Sequence, residues 1–292
     1  MNINWYPGHM AKTKRQIAED LKLIDVVIEL LDARIPMSSQ NPDIKELVGN
    51  KKKIIVLNKS DLAEESATKQ WVQYFEKNGA IAVIADSNTG KGISEVIRKV
   101  QSIMQDELET SSAKGRTGRA IRVLVLGIPN VGKSSFINRI SNKISAKVGN
   151  RPGVTVQKQW IRVANNIELL DTPGVLWPKF ESEEVGLNLS YTGTIKDEIL
   201  EKTEIAFYLL KFLLKNYKGN LIERYKLEET KVEEIIQNNE ENDAILEIME
   251  IIGRKRGAVV SGGRVDEEKV SNILVEDFRS GKLGRISIEK VK

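Results

Sequence analysis

The segment Gly127-Ile-Pro-Asn-Val-Gly-Lys-Ser134 has the spacing GxxxxGK[ST], which suits a phosphate cradle. Glycines at 127 and 132 let the backbone curl so that successive N–H groups point inward at an anion. A helix starting just behind them would add its positive N-terminal end. Lys133 then reaches the β- and γ-phosphates, and the Ser134 hydroxyl meets Mg²⁺. The cradle is expected to comprise Asn130, Val131, Gly132, Lys133, Ser134 and Ser135, with Lys133 also stabilising charge during transfer. A glycine-rich turn with only a structural role would not require lysine and serine after the second glycine.

Two further segments extend this chemistry. Asp171-Thr-Pro-Gly174 follows the apolar run IELL. An aspartate at such a strand end can hold the Mg²⁺ shell, while the Gly174 N–H meets the γ-phosphate. Thr155, in Arg151-Pro-Gly-Val-Thr155, lies between the two phosphate motifs and is the expected second hydroxyl on the metal. Asn58-Lys-Ser-Asp61 follows IIVL. A carboxylate at Asp61 accepts from the paired N1 and N2 donors of guanine, a pair that adenine lacks. Asn58 is expected on the other edge of the base and the Lys59 stem on its face, with Ser60 completing the motif. Asp86-Ser87-Asn88 follows the next apolar run; backbone N–H groups there are expected at the guanine oxygen. The usual second residue in that loop is alanine, and Asn88 departs from it. The ligand is therefore read as GTP or GDP.

These residues need a sheet to hold them. Val26–Leu31, Ile54–Leu57, Ala80–Ala85 and Ile121–Leu126 are short apolar runs that alternate with helical spacing at Ala67–Asn78 and Ile93–Leu108, a pattern that predicts a parallel α/β sheet. Val156–Val163 and Ile167–Leu170, separated by Ala164-Asn165-Asn166, read as an antiparallel hairpin. Lys12–Leu23 reads as a basic amphipathic helix. Beyond residue 180 strand signals fade, and helices are expected at Ile195–Asn216, Val232–Asn238, Asp243–Ile252 and Lys269–Ser280. The expected organisation is an α/β nucleotide domain over 1–180 and a smaller, mostly helical domain over 181–292. The order of the motifs is unusual, because the base reader precedes the phosphate motifs. A circular permutation of a P-loop GTPase explains it, with the small, basic stretch Ser111–Arg119 as a mobile linker joining the old ends.

Composition narrows the rest. The chain has 292 residues, no cysteine and one histidine. Disulfides, thiolate catalysis and Cys- or multi-His-ligated metals are excluded. No apolar run approaches ~18 residues, and the N-terminus lacks an apolar core before its basic cluster, so no membrane span and no secretory signal are expected. A cytoplasmic protein is the expectation. The net charge of +4 is unevenly placed: Ser111–Ile167 contains no Asp or Glu, and the chain from Arg254 onward is basic again. The first run partly serves nucleotide phosphates, and the second suits an anionic polymer.

The motif order and wording resemble the ribosome biogenesis GTPase A family of circularly permuted, YlqF/RbgA-type GTPases. The matching segments are WYPGHMAK (5–12), DARIPMSSQNP (32–42), NKSD, GIPNVGKSS (127–135), RPGVT, DTPGVLWPKF (171–180), TGTIKD (192–197) and RGAVVSGGRVD (256–266). The resemblance implies a C-terminal helical RNA-binding domain, a role in late assembly of the bacterial large ribosomal subunit, and hydrolysis stimulated by precursor particles and their RNA. It also bears on catalysis. In many GTPases a glutamine after DxxG orients the attacking water. Here that position is Val175, which cannot. The family gives the task to the histidine of this motif, His9, and uses the position of Asn130 to hold K⁺. A protein that is a monomer when free is expected. An alternative reading is a GTP-sensing binding module with little intrinsic catalysis that regulates a protein partner.

Overall fold

The structure, a computed structural model, describes residues 9–113, 119–141, 159–163, 166–172, 180, 182–195 and 201–291. It begins with α1 (His9–Asp20), a single 3-10 turn, and the central strand β1 (Val26–Asp32). Every residue of β1 is buried, as expected of a strand covered on both faces. Then come α2 (Pro42–Val48), β2 (Lys52–Asn58), α3 (Glu65–Lys77), β3 (Ile81–Ile84), α4 (Ile93–Ala113), β4 (Ile121–Gly127), α5 (Lys133–Ile140), β5 (Gln159–Val163) and β6 (Ile167–Asp171).

These strands form one sheet in the order β3-β2-β1-β4-β6-β5. All neighbours are parallel except β5 and β6, which form the expected antiparallel hairpin. The permutation is visible in this order. The strand feeding the phosphate loop, β4, lies between β1 and β6, yet three strands precede it in the chain. All three base-end strands, β1 to β3, lie to one side of β4, and α4 carries the chain back across.

Helix α4 runs to Ala113, so the expected linker loses its first three residues to helix. Extending an established helix through Ser and Ala costs little once it is nucleated. Residues 114–118 of that stretch lie outside the described residues. Three short helices were not expected: α2, α6 (Glu183–Tyr191) and α8 (Lys218–Tyr225). Helix α2 carries a local signal nonetheless. The Asn41 side chain accepts from the Asp43 N–H at 2.9 Å, and Pro42 takes the first helical position.

The chain divides into two compact units, Met1–Leu189 with Ser287–Lys292, and Ser190–Ile286. This departs from the expected division at residue 180, and the last residues return to the first unit. Among the described residues no strand follows β6 in the sheet. Asn188 nevertheless still belongs with it, donating to Ser38 Oγ at 3.1 Å and to Glu289 at 3.3 Å. In the first unit, Trp71 and Phe75 of α3 pack with Leu31, Ile55 and Leu57, and Val291 lies against this cluster.

The second unit contains α7 (Lys202–Asn216), α8, α9 (Glu229–Asn238), α10 (Glu241–Lys255) and α11 (Glu267–Arg279). Arg224 forks onto Asp277 at 2.9 and 3.0 Å, and Arg279 donates to the carbonyls of Ser190 and Tyr191. A bridge between Val259 and Val265 holds a glycine turn whose Val259, Val260 and Arg264 are exposed. Among the described residues no helix is long and apolar enough to cross a membrane.

Candidate nucleotide site

The phosphate loop follows from β4. Its buried run ends at Gly127, where a Cβ would lie 2.8 Å from the Leu30 carbonyl oxygen and 3.0 Å from Val131 Cγ1. Only glycine lets the loop leave the strand this close to its neighbour. Gly132 caps α5 in the left-handed region at φ 95°. A Cβ there would stand 2.5 Å from Asn58 Nδ2. Gly132→Ala should therefore cost ~1–2 kcal/mol of backbone strain and also push Asn58 aside. The expected result is at least tenfold weaker binding of a fluorescent GDP analogue, about 1.4 kcal/mol; unchanged binding would show that this contact does not matter.

Lys133 is buried, and its amine donates to the carbonyls of Gly127 and Ile128, both at 3.3 Å. The cation thus lies within the loop that surrounds it. Ser134 and Ser135 are half-buried in the first turn of α5. Asn130 takes φ 59°, which asparagine tolerates better than most residues.

Asn58 has a tying role that the sequence did not show. Nδ2 donates to the Val131 carbonyl at 2.8 Å, while Oδ1 accepts from the Ser87 hydroxyl at 2.7 Å and the Ser87 N–H at 3.2 Å. Asn58 is almost fully buried and joins the phosphate loop, the base reader and the following loop into one body. The loop after β3 is held by its own bonds. The Ser87 N–H is taken by Asn58, and the Asn88 N–H by Asp86 Oδ1 at 2.8 Å. Asp86 also accepts from Thr89 Oγ1 at 2.5 Å, so its carboxylate closes its own turn. The Thr89 N–H is left without a bond among the described residues. Arg139 of α5 holds this loop from below, donating to the carbonyls of Ser87 and Asn88. Arg139 was not singled out in the sequence, although it lies within the acid-free stretch.

Asp61 is half-buried, and its Oδ1 is fully enclosed with no hydrogen-bond partner. Burial raises its pKa, and the nearby Asp86 charge raises it further. An enclosed carboxylate oxygen without a donor is costly, and a ligand offering N–H groups removes that cost. Beside it, Lys59 takes φ 57°, and its amine meets Asp32 at 3.2 Å. Burial pulls the Lys59 pKa down while Asp32 opposes the shift. Asp32 also receives both arms of Arg34, at 2.9 and 2.8 Å. Burial works against the Asp32 carboxylate, yet Arg34 and Lys59 outweigh it and hold its pKa well below the ordinary range. Asp32 and Arg34 had no expected role. The register that pairs Asp32 with Asn58 across β1 and β2 brings them to the base reader.

Asp171 ends β6, paired with Val125 of β4 on one side and Gln159 of β5 on the other. This register puts its backbone beside the strand that feeds the phosphate loop. Its side chain, the His9 side chain, Thr155 and Gly174 lie outside the described residues. Among the described residues no cluster of three acidic or histidine side chains could enclose a metal. A hard cation held by one or two protein oxygens, phosphate oxygens and water fits this donor set, and Mg²⁺ is bound in that way.

A family model described as 50S ribosome-binding GTPase matches residues 122–256. The match starts in β4 and leaves NKSD outside, as the permuted motif order requires. A Bacillus cereus protein named Ribosome biogenesis GTPase A is 47% identical over 289 residues, which cover 99% of this chain and 94% of that one. Among solved structures, GDP-bound TM YlqF aligns with a TM-score of 0.67 at 28% identity, covering 94% of this chain and 99% of the other. GNP-bound YlqF from T. maritima gives 0.64 at 28% identity, with coverage of 96% and 98%.

Proposed function

Because the chain belongs to the ribosome biogenesis GTPase A family, we propose that it hydrolyses GTP as an assembly factor for the large ribosomal subunit. The observation that carries the nucleotide reading is the enclosed, unpartnered Asp61 Oδ1 beside a P-loop tied to the same motif by Asn58. A phosphate cradle alone accepts any nucleoside triphosphate, and the orphaned acceptor selects the base that brings two N–H donors. The names of the relatives support the ribosomal role.

In this reading Lys133 and the α5 N-terminus neutralise charge on the transferring phosphoryl group. Mg²⁺ would be held by Ser134, Thr155 and Asp171, and it supplies charge neutralisation between the β- and γ-phosphates. Asn130 is the proposed K⁺ ligand. Gly174 would donate to the γ-phosphate, and His9 would orient the attacking water in place of the glutamine that Val175 replaces. We take the helical unit with its exposed Arg254, Lys255 and Arg264 as the RNA-binding part. Binding should then fall steeply with salt, as phosphate contacts require. The free protein is taken as a cytoplasmic monomer.

The test is GTP turnover of wild type and His9→Ala, each alone and with mature or precursor large subunits. His9→Ala should keep its GTP affinity and lose most of the stimulation, a drop of ~10²–10⁴-fold if water positioning is its role. Stimulated turnover that survives in the variant would remove His9 from the mechanism. Absence of stimulation in the wild type would instead favour the GTP-sensing module, the reading that Val175 supports.

A further inference from the structure

The segment 287–291 follows the entire helical unit in sequence, yet it packs against the first unit. Its contacts are specific. The Glu289 carboxylate accepts from the Met37 N–H at 2.6 Å, the Ser38 N–H at 3.0 Å, the Ser38 hydroxyl and Asn188 Nδ2. Backbone N–H groups of Ile288 and Glu289 donate to the Arg34 carbonyl at 2.9 and 3.2 Å. The Glu289 carbonyl accepts from Trp71 Nε1 at 3.1 Å, and Ser287 Oγ accepts from the Glu64 N–H at 3.0 Å. Burial raises the Glu289 pKa, and the bonds from Ser38, Met37 and Asn188 counter it.

The loop gripped in this way, residues 32–39, also supports the base reader. At one end it carries Asp32, whose N–H donates to Ser39 Oγ at 3.1 Å, and Arg34, which forks onto that carboxylate. Asp32 holds the Lys59 amine. The Lys59 stem is therefore fixed at both ends, by a left-handed backbone and by an ion pair, next to Asp61. A stem held in this way offers an apolar surface to a planar ring without losing rotamer freedom on binding.

We propose that Glu289 is a positioning residue for guanine recognition, acting through the 32–39 loop and the Asp32–Arg34 pair on Lys59. This rests on the guanine reading of Asp61. The backbone bonds of Ile288 and Glu289 and the Trp71 contact do not need the carboxylate, so a side-chain change separates this role from simple packing of the segment.

The test compares affinity for GDP with affinity for pyrophosphate, which has no base, in the full chain. Glu289→Ala should weaken GDP by about fivefold, mostly through faster release, and leave pyrophosphate unchanged. Glu289→Gln keeps a carbonyl acceptor for the loop N–H groups and should recover most of the loss. Ser38→Ala removes one donor to Glu289 and gives a second, milder probe, with a shift of about twofold in the same direction. Equal weakening of GDP and pyrophosphate, or unchanged GDP binding in Glu289→Ala (in Ser38→Ala, should the first variant not fold), overturns the proposal. Asp61→Asn run alongside separates the two ideas. If it too leaves GDP binding unchanged, the guanine reading fails; if it alone loses GDP, only the role of Glu289 fails.

Discussion

Lys133→Ala should weaken GTP binding by at least about a hundredfold, roughly 3 kcal/mol, measured by titration with a fluorescent GTP analogue. The size follows from where the amine sits. It is buried inside the loop and donates to the Gly127 and Ile128 carbonyls at 3.3 Å. A charge in such a place acts through little water, so its attraction for phosphate is far stronger than on the surface. Alanine removes that cation and leaves two inward carbonyls facing the phosphate oxygens. Fold and stability should change little, because α5 is capped by Gly132 rather than by the lysine. A Lys133→Ala protein that still binds GTP tightly would overturn the phosphate assignment itself.

Asp61→Asn should reverse the base preference, lowering GTP affinity by about a hundredfold or more and raising that for xanthosine triphosphate. The amide nitrogen of asparagine donates where the carboxylate accepted. Xanthine offers a carbonyl at the position where guanine offers its exocyclic amine. The nucleotide-free variant carries a second signature. In the folded protein the Asp61 pKa is raised, first by burial and then by Asp86. The folded state therefore binds more protons than the unfolded one as pH rises from the ordinary carboxylate value toward the raised one, and wild type loses stability over that range. A neutral amide at this position has no such loss. The variant should melt higher than wild type at neutral pH, and the gain should fade as pH drops below about 4. Competition of GTP and xanthosine triphosphate for one site, with melting curves at both pH values, checks both signatures. Unchanged guanine preference would remove Asp61 from base reading.

What the chain revealed before its fold was known depended on the range of each signal. The strand at 121–127 and the hairpin of β5 and β6 were legible because their patterns are local: a continuous apolar run before glycine, and two runs around Asn165-Asn166. The phosphate and base motifs were legible for the same reason. The bonds that Asn58 makes within the protein carry no such local signal. Its bonds to Val131 and Ser87 cross 73 and 29 positions, and no local pattern encodes them. The bond from the Asn88 N–H to Asp86 Oδ1 is likewise a matter of side-chain geometry. Asp32 and Arg34 were seen only as part of a resembling word. Their role needs the β1 and β2 register. Short helices such as α8, which opens with a glycine and an asparagine after its first lysine, offer too few turns for a 3.6-residue period to show.

The return of the C-terminal segment sets an order of events during synthesis. Met37 and Ser38 wait for a carboxylate 252 and 251 positions further along. The helical unit Ser190–Ile286 leaves the translating ribosome first. At ~5–20 residues per second, that interval is about 5–20 s. Throughout it, the sheet, the phosphate loop and Asp61 are all present, while the 32–39 loop lacks the partners that steady it. Joining positions this distant is also an entropically slow step. If Glu289 steadies the base reader as proposed, a nascent chain acquires its phosphate grip before its full hold on the base.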